Sequence, residues 1–204
     1  MLIKIYPENP NYKQIERVIE ILQKGGIIIY PTDSVYGMGC DIYNRKAVEK
    51  IAKLKGIKIE KAQFSIIYHS LSQLSEYTKP ISNTVFKLMK KNLPGPFTFI
   101  LNANNKVPDL FQSNKKTVGI RIPNNPILLE IIKEFGSPLL TTSVHDDDEI
   151  IEYTTDPELI HEKYQDNVDL VIDGGFGQNT ASTIVDCTGD EPTITRQGIG
   201  ELLF

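Results

Sequence analysis

Residues 27–30, Ile-Ile-Ile-Tyr, form an unbroken apolar run entered through Gly25-Gly26 and closed by Pro31. A run this short and this apolar predicts a strand buried on both faces, of the kind found inside a sheet with other elements packed on it. The rest of the chain supplies those elements. Residues 2–6 alternate as a strand. Asn9-Pro10 predicts an N-cap and first-turn proline for a helix carrying Ile15, Val18, Ile19 and Leu22 at helical spacing, and Gly25-Gly26 stops it. Asn44 is expected to cap a second helix with Ala47, Val48, Ile51, Ala52 and Leu54 on its inner side. Strands are predicted at 64–68, 97–101, 117–122, 139–143, 168–172, 183–187 and 192–196, and helices at 71–77, 84–91, 126–134 and 156–163. Strands outnumber helices and alternate with them irregularly. The expectation is therefore an α/β chain with a mixed sheet rather than a regular Rossmann repeat. No repeat, low-complexity tract or linker divides residues 1–204, so one domain is expected.

Composition narrows the class. The 40% hydrophobic and 24% charged content is that of a globular chain. No apolar run approaches the ~18 residues a membrane span needs, and the N-terminus reads as a strand rather than a signal peptide. Cys40 and Cys187 are too few for a disulfide scaffold or a zinc ribbon, so a cytoplasmic setting is expected. The net charge of −4 conceals an asymmetry. Residues 1–116 carry 18 Lys/Arg against 9 Asp/Glu, and residues 117–204 carry 4 against 17. Such a split suits an anionic ligand on one face.

The chemistry-bearing segments begin at Tyr30-Pro31-Thr32-Asp33-Ser34-Val35-Tyr36-Gly37-Met38-Gly39. A buried strand stops at proline and is followed by hydroxyls, a carboxylate, a phenol and two glycines, the make-up of a ligand loop at a strand end. Thr32, Ser34 and Tyr36 offer polar contacts, and Gly37 and Gly39 would let backbone approach a ligand. A basic stretch runs from Arg45 to Lys61, in which Gly56 ends the helix just after Lys55. Lys55 and Lys58 could then reach phosphates as mobile charges. Leu93-Pro94-Gly95-Pro96-Phe97-Thr98 turns rigidly into a strand. Arg121 lies alone in an apolar strand, where a charge is costly unless an anion pairs with it. Ser182-Thr183 with Asp186, and Arg196 before Gly198, repeat the pattern of polar groups at strand ends. Asp146-Asp147-Asp148-Glu149 reads as a solvated acidic loop, with a divalent-ion site as the alternative.

These segments, in this order, resemble the YrdC/YciO family of threonylcarbamoyl-AMP synthases. The resemblance runs from Gly25 to Gly198 and rests on residues 30–39, Pro94-Gly95-Pro96-Phe97-Thr98, Arg121-Ile122-Pro123, Ser182-Thr183-Ile184-Val185-Asp186 and Arg196-Gln197-Gly198. It implies a YrdC-like fold, a twisted mixed β-sheet with helices packed on one side and a concave ligand cleft. It also implies a nucleotidyltransferase that joins L-threonine, bicarbonate and ATP, with Mg²⁺, into threonylcarbamoyl-AMP and pyrophosphate. That product feeds threonylcarbamoyladenosine modification of tRNA. By position, Thr32 and Tyr36 would contact threonine and Arg121 the substrate carboxylate, while Lys55, Ser143, Ser182 and Arg196 would surround the nucleotide and its phosphates.

The pattern departs from the family at three places. Lys55-Gly56-Ile57 replaces Lys-x-Arg, Ser143-Val144-His145 replaces Ser-x-Asn, and Gln63-Phe64-Ser65 replaces Lys-Pro-Leu, which together resemble the YciO branch. A guanidinium lost at Ile57 removes a two-pronged phosphate contact. His145 then stands at the nucleotide in place of asparagine. The alternative that the resemblance leaves open is a catalytically weakened nucleotide- or double-stranded-RNA-binding protein of the same fold, or a subunit of a tRNA-modifying assembly.

Overall fold

The computed structural model describes residues 1–62, 64–108, 116–144 and 152–204. His145 and the acidic run at 146–149 lie outside the described residues, as does Gln63. Ten strands among the described residues join into one mixed sheet. They are β1 (Leu2–Lys4), β2 (Ile28–Tyr30), β3 (Gly37–Asp41), β4 (Ser65–Ile67), β5 (Phe97–Asn102), β6 (Thr117–Arg121), β7 (Leu139–Ser143), β8 (Leu170–Asp173), β9 (Thr183–Asp186) and β10 (Thr193–Arg196). Their order is β1-β8-β2-β3-β7-β4-β6-β5-β9-β10. Parallel neighbours (β1/β8, β2/β8, β4/β6, β5/β9) mix with antiparallel ones (β2/β3, β3/β7, β4/β7, β5/β6, β9/β10). The helices are α1 (Tyr12–Gln23), α2 (Arg45–Leu54), α3 (Leu74–Tyr77), α4 (Asn83–Asn92), α5 (Pro126–Phe135), α6 (Glu152–Thr155) and α7 (Pro157–Tyr164). None is long and apolar enough to cross a membrane.

The apolar run forms β2 between β8 and β3, and Ile28, Ile29 and Tyr30 are completely buried. Helix α1 starts later than Asn9-Pro10 suggests. Asn9 is used in a turn, its N–H donating to Tyr6 O, and the cap falls on Asn11, whose side chain accepts from Lys13 N at 3.0 Å. Both α1 and α2 end in the same device. Gly25 and Gly56 adopt left-handed φ of 81° and 65°, and the next residue donates back to the last turn (Gly26 N to Ile21 O, Ile57 N to Ala52 O). The second ending fixes Lys55 as the C-cap of α2 rather than leaving it on a loose loop.

Alternation along the strands sorts the core into two clusters, one on each face of the sheet. Ile29, Val171 and Leu140 belong to the first, with α2 and α4; Ile28, Tyr30, Leu170, Ile172 and Leu139 belong to the second, with α1 and α5. The second cluster reaches only as far as Ile67 of β4. One-sided helix packing therefore holds over β6, β5 and β9, while α1 and α5 add a second layer over β8, β2 and their neighbours. The uncovered half carries the polar side chains.

Gly37 and Gly39 do not lie in a ligand loop; they form β3, buried at the centre of the sheet. Their missing side chains leave room for the Tyr30 ring. A Cβ on Gly37 would sit 2.6 Å from Tyr30 Cε2, and one on Gly39 would sit 2.2 Å from Leu140 O. Close backbone approach is the reason for both glycines, but the approaching group belongs to the protein.

Both thiols are held protonated by burial. Cys40 is pushed well above the usual thiol range, and Cys187 is pushed up to about 11 by burial and then by Asp186. At pH 8 a thiol of that kind is about 0.1% thiolate, against roughly a quarter for a free cysteine. Iodoacetamide labelling of the native protein at pH 8, followed by mass spectrometry, should proceed about two orders of magnitude slower than labelling after denaturation.

Candidate ligand site

A cavity of about 250 Å³ opens on the uncovered half of the second face. Its wall consists of three cationic residues, Lys55, Arg121 and Arg196, and six hydroxyl residues, Ser65, Thr98, Thr141, Thr142, Ser143 and Ser182. The floor is a row across the sheet. Thr141 of β7 pairs with Ser65 of β4, and Ser65 pairs with Gly119 of β6. A Cβ on Gly119 would lie 2.5 Å from Ser65 Oγ and 3.2 Å from Thr98 Cγ2, so this glycine sits between the two hydroxyl residues. Ser182, which leads into β9, completes the row through Thr98 Oγ1 at 2.9 Å.

Arg121 is only 4% exposed at the end of β6. Its Nη2 donates to Ser34 Oγ at 2.9 Å and meets Asp33 Oδ1 at 3.5 Å. The hydrogen bonds behind it have a single direction. Thr32 Oγ1 donates to Val35 O at 2.7 Å, so it accepts from Ser34 Oγ at 3.2 Å, which in turn accepts from Arg121. The loop at 31–36 thus holds the guanidinium. Arg121 Nε is buried without a hydrogen-bond partner among the described residues.

Burial opposes both charges of the ion pair. Desolvation raises the Asp33 carboxyl above its ordinary range, against the Asn124 N–H and Arg121, which both lower it. Desolvation likewise lowers Arg121, with Arg196 acting the same way, and Asp33 and Tyr30 oppose the shift. At both partners burial outweighs the neighbours that favour the charged form. A second anion at Arg121 would supply what the pair lacks.

Arg196, at the end of β10, donates from Nε (3.2 Å) and Nη2 (2.8 Å) to Ser182 O. Gly198 permits this closeness, since a Cβ there would sit 2.2 Å from Ala181 O. Nη2 also reaches Ser182 Oγ at 3.4 Å, and Ser182 Oγ and Thr98 Oγ1 share one hydrogen bond, so one proton of the pair is left for the cavity. Lys55 Nζ reaches across to Ser143 O at 3.2 Å. The wall therefore presents cations and hydroxyl donors, the complement of a ligand rich in acceptor oxygens.

Of the residues the sequence singles out, Lys55, Arg121, Ser143, Ser182 and Arg196 share this wall. Thr32 and Ser34 stand behind Arg121 instead. Tyr36 is buried with its hydroxyl donating to Gly175 O at 2.7 Å, under the 174–177 loop. Lys58 is exposed beyond the Gly56 turn and off the cavity wall. Sequence reasoning missed Ser65 and Thr141, which look like strand filler until register aligns them. Among the described residues no group of three or more His, Cys, Asp or Glu could hold a metal ion. Among the described residues the cavity offers no carboxylate set for the Mg²⁺ that the resemblance implies.

A mixed ten-stranded sheet with a cationic, hydroxyl-floored recess on its half-open face defines a YrdC-like α/β protein. The chain belongs to the Sua5, YciO and YrdC family: residues 20–198 match the family model described as "Telomere recombination". It is 39% identical to YciO of Escherichia coli over 200 residues, covering 97% of this chain and 95% of that one. The crystal structure of E. coli YciO superposes with a TM-score of 0.90 over 98% and 97% of the two chains. A threonylcarbamoyl-AMP synthase of Vibrio campbellii is 32% identical over 91% of this chain and 100% of its own. P. abyssi Sua5 complexed with L-threonine gives a TM-score of 0.85 at 25% identity, over 97% of this chain and 57% of that one.

Proposed function

We propose that this protein forms an acyl-adenylate of the threonylcarbamoyl-AMP type from L-threonine, bicarbonate and ATP, for tRNA modification. The observation that carries this reading is the wall itself, in which three cations and six hydroxyl residues enclose about 250 Å³, with no carboxylate among the described residues that line it. That volume falls below the ~300–1,000 Å³ of sites for whole drug-sized ligands. It suits the acyl-phosphate part of the ligand, with the nucleoside along the open cleft.

In this reading threonine's amine and bicarbonate give a carbamate and water. A carbamate oxygen attacks the α-phosphorus, and pyrophosphate leaves with the electrons of the broken P–O bond. Arg121 takes the threonine carboxylate, while Lys55 and Arg196, with Ser143 and Ser182, take the phosphoryl oxygens. Thr32 acts through Ser34 on Arg121, and Tyr36 acts by bracing the 174–177 loop. The protein's contribution is positioning and charge neutralisation rather than covalent catalysis.

The test is pyrophosphate release from ATP by purified protein, expected to require both threonine and bicarbonate. Release indifferent to either overturns the reading. A second reading, nucleotide or RNA binding with catalysis lost, is favoured by Ile57, a 40% exposed apolar side chain where the family has arginine. ATP or AMP binding without release would support it. Ile57→Arg should raise turnover about 10-fold if the missing contact limits it, since a charged hydrogen bond supplies ~1.5–3 kcal/mol. A folded variant with unchanged turnover would place the limit elsewhere.

A further inference from the structure

Tyr30 is completely buried, with its ring laid across the glycines of β3. Its hydroxyl has one partner among the described residues, Thr141 Oγ1 at 2.7 Å. A buried phenol without an acceptor loses a hydrogen bond and keeps the cost of leaving water, so Tyr30 donates and Thr141 accepts. Burial also keeps this phenol protonated across the working pH range, its pKa raised despite Thr141 and Arg121.

Thr141 is itself only 2% exposed and lines the cavity. With its oxygen accepting from Tyr30, its own proton has no protein acceptor among the described residues. The opening it faces is the ligand space. Ser65, its neighbour in register on β4, adds a second cavity hydroxyl that makes no hydrogen bond among the described residues. Ser65 also stands where the resemblance places a leucine, so this corner is polar here and apolar there.

We infer that Thr141 donates a hydrogen bond to an acceptor oxygen of the ligand, and that Tyr30 is the positioning residue that turns this donor toward the cavity. The inference rests on the cavity being the ligand site. The corner selects a ligand that presents a carboxylate, carbonyl or phosphoryl oxygen there, and it disfavours one that presents a methyl group or a donor. Thr141 touches the ligand; Tyr30 acts only through Thr141. Gly37 and Gly39 are in turn the positions that let Tyr30 reach across a whole strand.

Calorimetric titration with inorganic pyrophosphate tests this, because that probe is small and rich in acceptor oxygens. Thr141→Val should weaken binding about 10-fold or more, the effect of losing a hydrogen bond to a charged group, and Thr141→Ser should restore it to within about 2-fold. Tyr30→Phe should weaken binding severalfold in the unsubstituted protein and less than about 2-fold in the Thr141→Val background, since two residues acting through one bond are not additive. Melting temperatures of the same variants separate binding from folding. Equal loss from Tyr30→Phe in both backgrounds would mean that it acts through packing, which overturns its positioning role. If Arg196→Gln weakens pyrophosphate binding and Thr141→Val does not, the donor assignment fails while the ligand site stands. If the unsubstituted protein binds no pyrophosphate, both fall.

Discussion

Replacing Arg121 with methionine is expected to cost about 3–5 kcal/mol, because it leaves a buried carboxylate without its cation. For a domain of this size that is a fall in Tm of roughly 6–20 °C. The carboxylate is Asp33, whose side chain is 11% exposed, lies 3.5 Å from Arg121, and is already raised by burial. Without Arg121 its pKa rises further above the unfolded value. Stability from such a group is present below the unfolded pKa and is lost as pH rises through the folded one. The loss in the variant should therefore be greatest near neutral pH and shrink as the pH is lowered toward the acid range. Adding Asp33→Asn should recover most of the loss at pH 7. Thermal melts across pH on the two variants check this, and a double variant no more stable than Arg121→Met would show that packing, not charge, is at stake. On the proposed function, Arg121→Lys should keep the fold yet weaken threonine binding by ~1–3 kcal/mol, since an ammonium cannot make the planar two-pronged contact.

Gly39→Ala should cost about 3 kcal/mol or more, the upper end for overpacking. Its Cβ would fall 2.2 Å from Leu140 O and 2.7 Å from Tyr30 Oη, and the first of these is backbone of β7 that cannot swing away. Gly56→Ala is the comparison. Gly56 has a φ of 65° and nothing within 4 Å of its would-be Cβ, so only the left-handed conformation is penalised, at about 1–2 kcal/mol. Chemical denaturation of both variants should rank them in that order. The reverse order would mean that the sheet accommodates the added methyl by moving β3 from β7.

These two glycines also mark where sequence reading succeeds and fails. The left-handed helix endings at Gly25 and Gly56 are legible because they follow from local chain geometry. Strand β2 is legible from its apolar run, and the order of the motifs reveals the family. Strand β3 is not legible, because Gly37-Met38-Gly39 has no strand signature and its glycines answer to a tyrosine seven to nine positions earlier. Arg121 stands out as a charge in an apolar strand, and it is buried at the cavity as that setting demands. Ser65 and Thr141 stay hidden, because their meaning comes from cross-strand register, which no local window contains. Lys58 misleads for the opposite reason: nearness to Lys55 in sequence does not survive the turn at Gly56.

The half-covered sheet has a consequence for how such a site can change. Along β4, β6 and β5, one residue faces the recess and the next packs into the first apolar cluster: Ser65 then Ile66, Gly119 then Ile120, Thr98 then Phe99. The recess can thus be rewritten one position at a time while the hydrophobic layer beneath it stays intact. Recognition and folding are carried by alternate letters of the same strands, so relatives can keep one backbone and diverge in what they hold.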